Sequence, residues 1–343
     1  MSKVILFNRK YQRKIKLAWI IYTSLRNRRI IMSTKVYIDG QSGTTGLQIF
    51  DRIGARTDLE LLKIAEDKRH DIDERKKFLN EADIVFLCLP DQAAIESVSL
   101  IENENVKVID ASTAHRTNDD WVYGFPEISK EAREKIAKGK RVANPGCHAT
   151  GMISTVAPLV HMGILPKDYP LTCYSLTGYS GGGKSMIADY ESEDKDEKLF
   201  APGIYGRTLK HKHIPEMQKV TGLLYAPCFL PVVDDYYKGM ATTVMLQSRL
   251  LNGRPTAKEV CERLKEYYQD EFFIKVRDFE EEKPETIYAN ALAGTNNLEI
   301  AVYGHEDQIA VTAIFDNLGK GASGAAVQNM NIMLGLPEET GLI

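Results

Sequence analysis

The chain has 343 residues, of which 43% are hydrophobic and 27% charged. This composition is typical of a folded globular protein and excludes a disordered, collagen-like or low-complexity chain. The formal net charge is only −3, and the five cysteines form no C-x-x-C pair. An odd set of free thiols favours the reducing cytoplasm over a disulfide framework, and we expect no metal site.

Residues 1–31 form a basic leader with nine Lys or Arg residues and no Asp or Glu. Its apolar stretch LAWIIYTSL is too short to cross a membrane, and no small-residue cleavage site follows it. Because MSTKVYIDG opens at once with a strand pattern, we interpret Met32 as a second start and the leader as a mis-assigned start or a disordered tail. A transit peptide, or a basic tail that binds membrane or nucleic acid, is the alternative. For the rest of the chain we expect neither membrane nor nucleic acid as a partner.

An alternation of strands and helices begins at Lys35. The run ADIVFLCLP (residues 82–90) is continuously apolar and ends at a proline, as expected of a strand buried on both faces of a parallel sheet. The other predicted elements are the strands KVYIDG, LELLKIAE and VKVIDAS and the helix TTGLQIFDRIGA. This order predicts an α/β fold, with a Rossmann-like parallel sheet over residues 34–147.

After Cys147 the pattern changes to one helix, GMISTVAPLVHMGILP, followed by longer strands. They are LTCYSLT, LLYAPCFLPV, GMATTVMLQSRL, FFIKVRDF, LEIAVYGH and QIAVTAIFDN. Many strands with few helices between them predict an α+β catalytic and dimerisation domain with a mixed sheet over residues 148–318. The apolar segment SGAAVQNMNIMLGL predicts a helix, and we expect residues 319–343 to pack back against the first domain.

The turn DGQSGTTG places Gly40, Gly43 and Gly46 between the first strand and the first helix. Glycines at this point let the backbone approach a pyrophosphate, whose charge is favoured by the helix N-terminus. We therefore predict a dinucleotide site at this turn. The other predicted binding residues of the turn are Ser42, Thr44 and Thr45.

The segment EDKRH bears on which dinucleotide binds. Glu66 stands where a ribose-binding acid is expected, whereas Lys68 and Arg69 suit a 2′-phosphate. We favour NADP(H) and leave NAD(H) open.

The segment ANPGCHATG places Cys147 after a tight turn and just ahead of an apolar helix. A helix N-terminus lowers the pKa of a thiol below its ordinary value of about 8.5, so this position predicts a nucleophile. A buried structural cysteine is the alternative, and we assign that role to Cys88 and Cys173 inside apolar strands.

The segment HKHIPEM contains a pair of histidines. Pro215 suits the first turn of a helix, so His211 and His213 precede that helix and face the same way if the chain is extended. Glu216, three residues after His213, is expected to orient that imidazole as a base. Two unrelated surface histidines are the alternative, and a third metal ligand is not apparent.

The loop GYSGGGKS (residues 178–185) fits the phosphate loop of NTPases, G-x-x-x-x-G-K-[ST]. Six carboxylates follow it within residues 189–197 and disfavour a bound polyphosphate. We therefore interpret the loop as one whose backbone N–H groups hold an acyl or phosphate substrate. Arg116 follows a strand end in DASTAHR, where it suits a carboxylate or phosphate, with a surface salt bridge as the alternative.

Five segments in order give the chain, from about Thr34 to the C-terminus, a specific resemblance. They are GQSGTTG, ANPGCHATG, TGYSGGGK, HKHIPEM and NLGKGASGAAVQNMN. The chain resembles the N-acetyl-γ-glutamyl-phosphate reductase family of arginine biosynthesis, in its shorter form. The leader has no counterpart in that family.

The resemblance implies that Cys147 attacks N-acetylglutamyl 5-phosphate, releases phosphate and forms a thioester. Hydride from NADPH then gives N-acetylglutamate 5-semialdehyde. His213, supported by Glu216, is implied as the base or acid and His211 as nearer the substrate, and which of the two transfers the proton is left open. The residues implied at the substrate are Arg116, Ser180 and Gly181. The resemblance also implies that Asn317 and the segment GKGAS lie beside the nicotinamide. It further implies that the protein is a homo-oligomer, a dimer or tetramer.

Two alternatives are kept. Aspartate-semialdehyde dehydrogenase shares the architecture and the cysteine chemistry, but its histidine context differs from HKHIPEM. A catalytically silent, NADP-binding regulator has no physical need for Cys147 together with His211 and His213. Alkylation of Cys147 distinguishes these classes, because only an enzyme loses turnover.

Overall fold

The computed structural model describes residues 33–41, 43–281 and 285–343. The predicted leader, residues 1–31, and the predicted cofactor residue Ser42 lie outside the described residues. Among the helices described, none is both long and apolar enough to span a membrane.

The first sheet has six parallel strands in the order β2-β1-β3-β4-β6-β5. Its strands are β1 (Thr34–Asp39), β2 (Leu59–Leu62), β3 (Ile84–Leu87), β4 (Lys107–Asp110), β5 (Val122–Tyr123) and β6 (Arg141–Ala143). All four residues of β3 are buried, as the uninterrupted apolar run predicts. Because β2 and β3 lie on opposite sides of β1, the strand order reverses beside β1, where sheets of this kind bind ligands.

Helices cover both faces of this sheet. They are α1 (Thr44–Gly54), α2 (Ile72–Glu81), α3 (Asp91–Ser99) and α4 (Lys130–Lys138), with α9 (Gly324–Leu334) returning from the end of the chain. Val327 and Met330 of α9 are buried in one core with Val36 of β1 and Ile49 of α1. The apolar C-terminal helix is therefore part of the first domain's core.

The second sheet is mixed, with seven strands in the order β11-β12-β13-β10-β7-β9-β8. Its strands are β7 (Thr172–Gly178), β8 (Gly203–Ile204), β9 (Cys228–Asp234), β10 (Met240–Gln247), β11 (Ile274–Val276), β12 (Leu298–Gly304) and β13 (Gln308–Phe315). The helices of this region are α5 (Cys147–His161), α6 (Gly183–Glu191), α7 (Ile214–Thr221) and α8 (Ala257–Tyr268). The predicted fold class, a parallel sheet domain followed by a domain with a mixed sheet, is confirmed.

One strand prediction is displaced. LLYAPCFLPV was expected to be extended from Leu223, but β9 begins only at Cys228. Helix α7 ends at Thr221 with Gly222 in the left-handed conformation, and Leu224 and Tyr225 are exposed in the connection that follows. The apolar residues before Cys228 therefore belong to a turn and not to the sheet.

Helix α5 connects the two sheets. Its first residue, Cys147, follows β6, so it lies at the carboxyl edge of the parallel sheet, where the glycine turn after β1 also lies. Residues 149, 152, 153 and 156 of α5 are fully buried in the second domain's core. The start of α5 thus lies where the two domains meet.

Candidate active site

A cavity of about 470 Å³ lies at the carboxyl edge of the parallel sheet, and most of the predicted site residues line it. They are Gly43, Thr44, Thr45, Arg116, Cys147, Ser180, Gly181, His211, His213 and Asn317. The further lining residues include three polar side chains that were not predicted as site residues, namely His148, Tyr205 and Lys212. The predicted nucleophile, both histidines and the start of α1 therefore share one cleft.

The turn before Cys147 is held by several hydrogen bonds. The Asn144 backbone N donates to Asp110 O at 2.7 Å, and the Gly146 N donates to Glu216 Oε2 at 3.1 Å. A Cβ atom on Gly146 would lie 2.5 Å from both Arg116 Nη1 and His213 Nε2. Only glycine therefore lets the guanidinium and the imidazole approach the backbone directly before Cys147.

The expected lowering of the Cys147 pKa is wrong. Burial raises the pKa of Cys147 to about 11, although the charge of Arg116 and a backbone hydrogen bond from the start of α5 oppose that effect. The helix N-terminus is present, but loss of water around the sulfur outweighs it. Cys147 is therefore a thiol at neutral pH and needs a base to become a nucleophile.

Three imidazoles surround the cleft beside Cys147. The ring centroids of His211 and His213 are 4.8 Å apart, and those of His148 and His213 are 5.7 Å apart. Burial lowers the pKa of His148 to about 3 and, together with the charge of Lys212, lowers that of His211 to about 4. Burial and the charge of Arg116 hold the pKa of His213 well below its ordinary value. The three rings are therefore neutral at physiological pH.

His211 and His213 line the same cavity, although the chain turns there and is not extended. Their rings are nearly perpendicular, at 86°, and His213 has helical backbone angles. The His213 backbone N donates to His211 Nδ1 at 3.2 Å, which places the His211 proton on Nε2. His213 Nδ1 is buried and accepts or donates no hydrogen bond within the described part of the chain.

Glu216 does not orient His213 as the spacing predicts. Its carboxylate, 1% exposed, accepts from Arg116 Nη1 at 2.7 Å, from Tyr123 OH at 2.6 Å and from the Gly146 backbone N. Glu216 lies in the first turn of α7, and its side chain points toward β5 and the turn before Cys147. It therefore fixes the nucleophile's turn, a role for which three-residue spacing gives no signal.

Arg116 lines the cleft, but most of its guanidinium is engaged within the protein. Besides its bond to Glu216, its Nε donates to Asn144 O at 2.9 Å and its Nη2 to Ala111 O at 3.0 Å. Three of its five N–H donors are thus used, and its charge is balanced by a buried carboxylate.

His148 and Tyr205 form a hydrogen-bonded chain that the sequence analysis missed. The Tyr205 hydroxyl lies 2.7 Å from His148 Nε2, and His148 Nδ1 lies 2.8 Å from Ser175 Oγ, which contacts Thr242 Oγ1 at 2.7 Å. His148 directly follows Cys147 in the motif ANPGCHATG, so its position beside the predicted nucleophile could have identified it from the sequence. No sequence motif indicated Tyr205, because only the fold brings the segment after β8 to the cleft.

The glycine loop at residues 178–185 lines the cleft with Gly178, Ser180 and the glycines that follow. Ser180 is buried, and its Oγ accepts from Asn317 Nδ2 at 3.1 Å, while Asn317 Oδ1 accepts from the Gly239 backbone N at 2.8 Å. Lys184, the lysine of the NTPase pattern, is exposed and does not line the cavity. The strand before the loop belongs to the mixed sheet.

The predicted dinucleotide turn lies between two cavities. Gly40 has a φ of +86°, and a Cβ there would lie 2.4 Å from Cys88 O, while a Cβ on Gly46 would lie 2.6 Å from Gly40 O. These two glycines close the turn against β3 and α1. The start of α1 lines the first cavity, and Gly40 lines a second one of about 590 Å³.

The two predicted phosphate-binding cations differ in their position relative to the second cavity. Glu66 and Arg69 line it and form a salt bridge with each other. Lys68 does not line it and is bonded to Glu74 at 3.1 Å. Of the two predicted cations, only Arg69 therefore lines the second cavity.

The chain matches two described families in succession. Residues 35–136 match "Semialdehyde dehydrogenase, NAD binding domain", and residues 147–317 match "Semialdehyde dehydrogenase, dimerisation domain". In structure, it is similar to aspartate semialdehyde dehydrogenase from Francisella tularensis, with a TM-score of 0.67 at 14% identity, covering 88% of this chain and 100% of that one. It is also similar to the enzyme "with NADP" from Candida albicans, with a TM-score of 0.64 at 14% identity, covering 88% and 98%. These likenesses show the fold.

Curated relatives are much closer in sequence. "N-acetyl-gamma-glutamyl-phosphate reductase 2" of Nostoc sp. is 47% identical over 318 residues, which cover 90% of this chain and 99% of the relative. The reductase of Brucella abortus is 47% identical over 309 residues, which cover 89% and 100%. Since this identity spans both domains and the cleft between them, the chain belongs to the N-acetyl-γ-glutamyl-phosphate reductase family.

Proposed function

We propose that the chain reduces N-acetyl-L-glutamyl 5-phosphate to N-acetyl-L-glutamate 5-semialdehyde with NADPH, releasing phosphate, as a step of arginine biosynthesis. One observation carries the proposal: Cys147 opens α5 in the cavity that also contains the start of α1, His211 and His213. A nucleophilic thiol, neutral imidazoles and a dinucleotide turn in one cleft are the parts that reduction of an acyl phosphate through a thioester requires.

NADP(H) fits the residues present. At Gly40 and Gly46 the surrounding backbone leaves no room for a side chain. The backbone N–H groups in the first turn of α1 suit a pyrophosphate that lies between the two cavities. Arg69 would bind the 2′-phosphate, and Asn317, in the cavity of Cys147, would border the nicotinamide. When bound, NADPH supplies one hydride to the carbonyl carbon of the acyl group.

His213 is the residue that we assign to proton transfer. Its Nε2 approaches Gly146 closely, next to Cys147, and its ring is neutral at physiological pH, so one ring nitrogen is available to accept a proton. It takes the proton from the Cys147 thiol, and the sulfur then attacks the acyl carbon. The bond from that carbon to the phosphate oxygen breaks, phosphate leaves with the electron pair, and a thioester remains.

His211 and the glycine loop are assigned to the substrate. His211 carries its proton on Nε2, so it can donate to a substrate oxygen. Ser180 Oγ accepts from Asn317 and keeps its own hydrogen for a substrate anion, beside the exposed backbone of Gly181. Arg116 contributes its two remaining N–H groups. Reduction of the thioester releases the aldehyde and restores Cys147 as a thiolate.

We also propose a homo-oligomer, a dimer or tetramer, in the cytoplasm. The outer face of the second sheet presents Leu230 and Met245, which are 36% and 47% exposed, and an apolar sheet face of this kind favours association. All five cysteines are free, which suits a reducing compartment. Light scattering should give at least a dimer, and Met245→Glu should shift it toward the monomer.

The test runs the reaction in reverse. The purified chain receives NADP+, phosphate and N-acetylglutamate 5-semialdehyde, and NADPH formation is followed by absorbance. We expect a phosphate-dependent signal that Cys147→Ser lowers at least about 10³-fold. Cys228→Ser, in an exposed position outside the cavity, is the matched control and should keep its turnover.

Other outcomes contradict the proposal in distinct ways. Turnover of aspartate semialdehyde alone would indicate the related dehydrogenase. Measurable NADP+ binding without turnover of either aldehyde would indicate a regulator.

A further inference from the structure

The cleft around Cys147 has an unusual charge balance for this chain. Among its described lining residues there is no Asp or Glu, and the only Lys or Arg residues are Arg116 and Lys212. The whole chain has 47 acidic and 44 basic residues, so a cleft lined by two cations and no carboxylate differs from the average surface and favours anions electrostatically.

The two cations of the cleft are not equivalent. Arg116 is paired at 2.7 Å with Glu216, which lies behind the cleft wall, so the pair adds no net charge. Lys212 is exposed and forms no salt bridge with any carboxylate in the parts of the chain described. The histidines on either side of it, His211 and His213, are neutral because burial lowers their pKa values. Lys212 therefore supplies the net positive charge of the cleft.

We propose that Lys212 binds the phosphoryl group of the substrate and the phosphate that leaves, an inference that rests on the proposed function. The leaving phosphate takes the electron pair of the broken carbon–oxygen bond, so negative charge grows on it as Cys147 attacks. A lysine ammonium at the end of a flexible stem acts on phosphate as a point charge and can follow it out of the cleft. Arg116, fixed by three hydrogen bonds, cannot follow the phosphate in this way, although its two remaining N–H groups face the same cleft.

The first experiment needs no turnover. Inorganic phosphate is titrated as a protector of Cys147 against iodoacetamide, and alkylation of Cys147 is quantified by peptide mass spectrometry. Lys212→Met should weaken the protection by about 10- to 100-fold, the effect of losing one charge-assisted contact. Lys212→Arg should restore most of it. Lys138→Met, which removes an exposed lysine of α4 outside the cavity, is the charge-matched control and should leave the protection unchanged.

The second experiment uses the reverse reaction. Lys212→Met should raise the KM for phosphate by a similar factor and leave the KM for the aldehyde unchanged. A raised KM for the aldehyde alone would assign Lys212 to the substrate carboxylate and overturn the proposal. Equal phosphate protection in the wild type and Lys212→Met, or none in either, would also overturn it. If protection depends on Lys212 while the wild type lacks turnover, the anion site stands and the proposed substrate falls.

Discussion

Two buried polar clusters lie on opposite sides of the segment Gly319–Ser323, and they treat ionisable groups in opposite ways. On one side is the histidine cluster, formed by Cys147, His148, His211 and His213. On the other is the ionic cluster, formed by Glu127, Arg133, Glu271, Lys320, Gln328 and Glu338. The segment touches both, since a Cβ on Gly321 would lie 2.9 Å from the Cys147 Cβ while Lys320 reaches the ionic cluster.

The ionic cluster sets two cations against three carboxylates, and burial raises the pKa of one of these, Glu271, to about 7. Lys320, 1% exposed, donates at 2.6 Å to both Glu127 Oε1 and Gln328 Oε1. Although burial opposes ionisation of Glu127, the Lys320 ammonium holds the Glu127 pKa below its ordinary value. Arg133 pairs with Glu271 and Glu338. These contacts join α4, the C-terminal helix and the segment beside Cys147.

The histidine cluster has the same degree of burial but no buried counter-charge for its rings. Its members respond by remaining neutral, and His213 Nδ1 is left without a partner among the described residues. The comparison of the two clusters shows where this fold tolerates buried charge. Paired charges fix the segment Gly319–Ser323, whereas neutral, incompletely bonded groups beside it keep the capacity to move protons.

The largest expected effect comes from breaking the histidine cluster. His213→Gln removes the proposed proton acceptor, and turnover should fall by about 10² to 10⁴-fold. The melting temperature should stay the same or rise, because the change removes a buried imidazole with an unpartnered nitrogen. His161→Gln, an exposed position at the end of α5 outside the cleft, is the control in the same assay. A His213→Gln enzyme with near-normal turnover would contradict our assignment.

Breaking the ionic cluster should affect stability. Lys320→Met leaves Glu127 buried without its counter-charge and should lower the free energy of unfolding by about 3–5 kcal/mol in urea titrations. The double variant with Glu127→Met removes both charges and should recover much of that loss. Lys138→Met, which disrupts an exposed pair with Glu134, should have no measurable effect. A failure of the double variant to recover stability would show that the pair is not the main contribution.

The pH dependence of Cys147 alkylation sharpens the comparison. Because burial raises its pKa to about 11, the thiolate fraction at pH 7 is far below that of a free thiol and grows as pH rises. The rate with iodoacetamide should increase about tenfold per pH unit from pH 7 to 10. A free cysteine peptide levels off near pH 9 in the same experiment. A plateau for Cys147 below pH 8 would indicate a thiolate paired with a charged imidazole instead.

The smallest effect is expected at an exposed pair. Arg69 lines the second cavity beside Glu66, so Arg69→Gln should raise the KM for NADPH about tenfold, the loss of one charge-assisted contact. Lys68→Gln, which changes a neighbouring cation outside that cavity, should leave the KM unchanged. Equal effects of both variants would indicate a diffuse electrostatic contribution and not a defined contact.

Much of the fold could be read from the sequence. The buried run that becomes β3, the glycine turn before α1 and a helix after the Cys147 turn all follow from residues that are close together in the chain. The bounds of that helix were wrong, because α5 runs from Cys147 to His161 and not from Gly151 to Pro166. Hydrophobic periodicity and turn chemistry depend on residues that are near each other in the sequence, so both can be recognised without knowledge of the packing. The shift of β9 shows the limit, since an apolar stretch alone does not distinguish a strand from a connection whose apolar side chains are partly exposed.

The candidate site was recovered less completely. The sequence by itself determined the residue types, with Cys147, His211, His213 and the glycine turn identified by their own motifs. Only the tertiary structure decided their chemistry: the neutral histidines, the raised pKa of Cys147, the approach of Tyr205 and the bond of Glu216 to Arg116, 100 residues away. The physical reason is that desolvation and the partners of a buried side chain depend on which elements pack around it, and no local pattern records that packing.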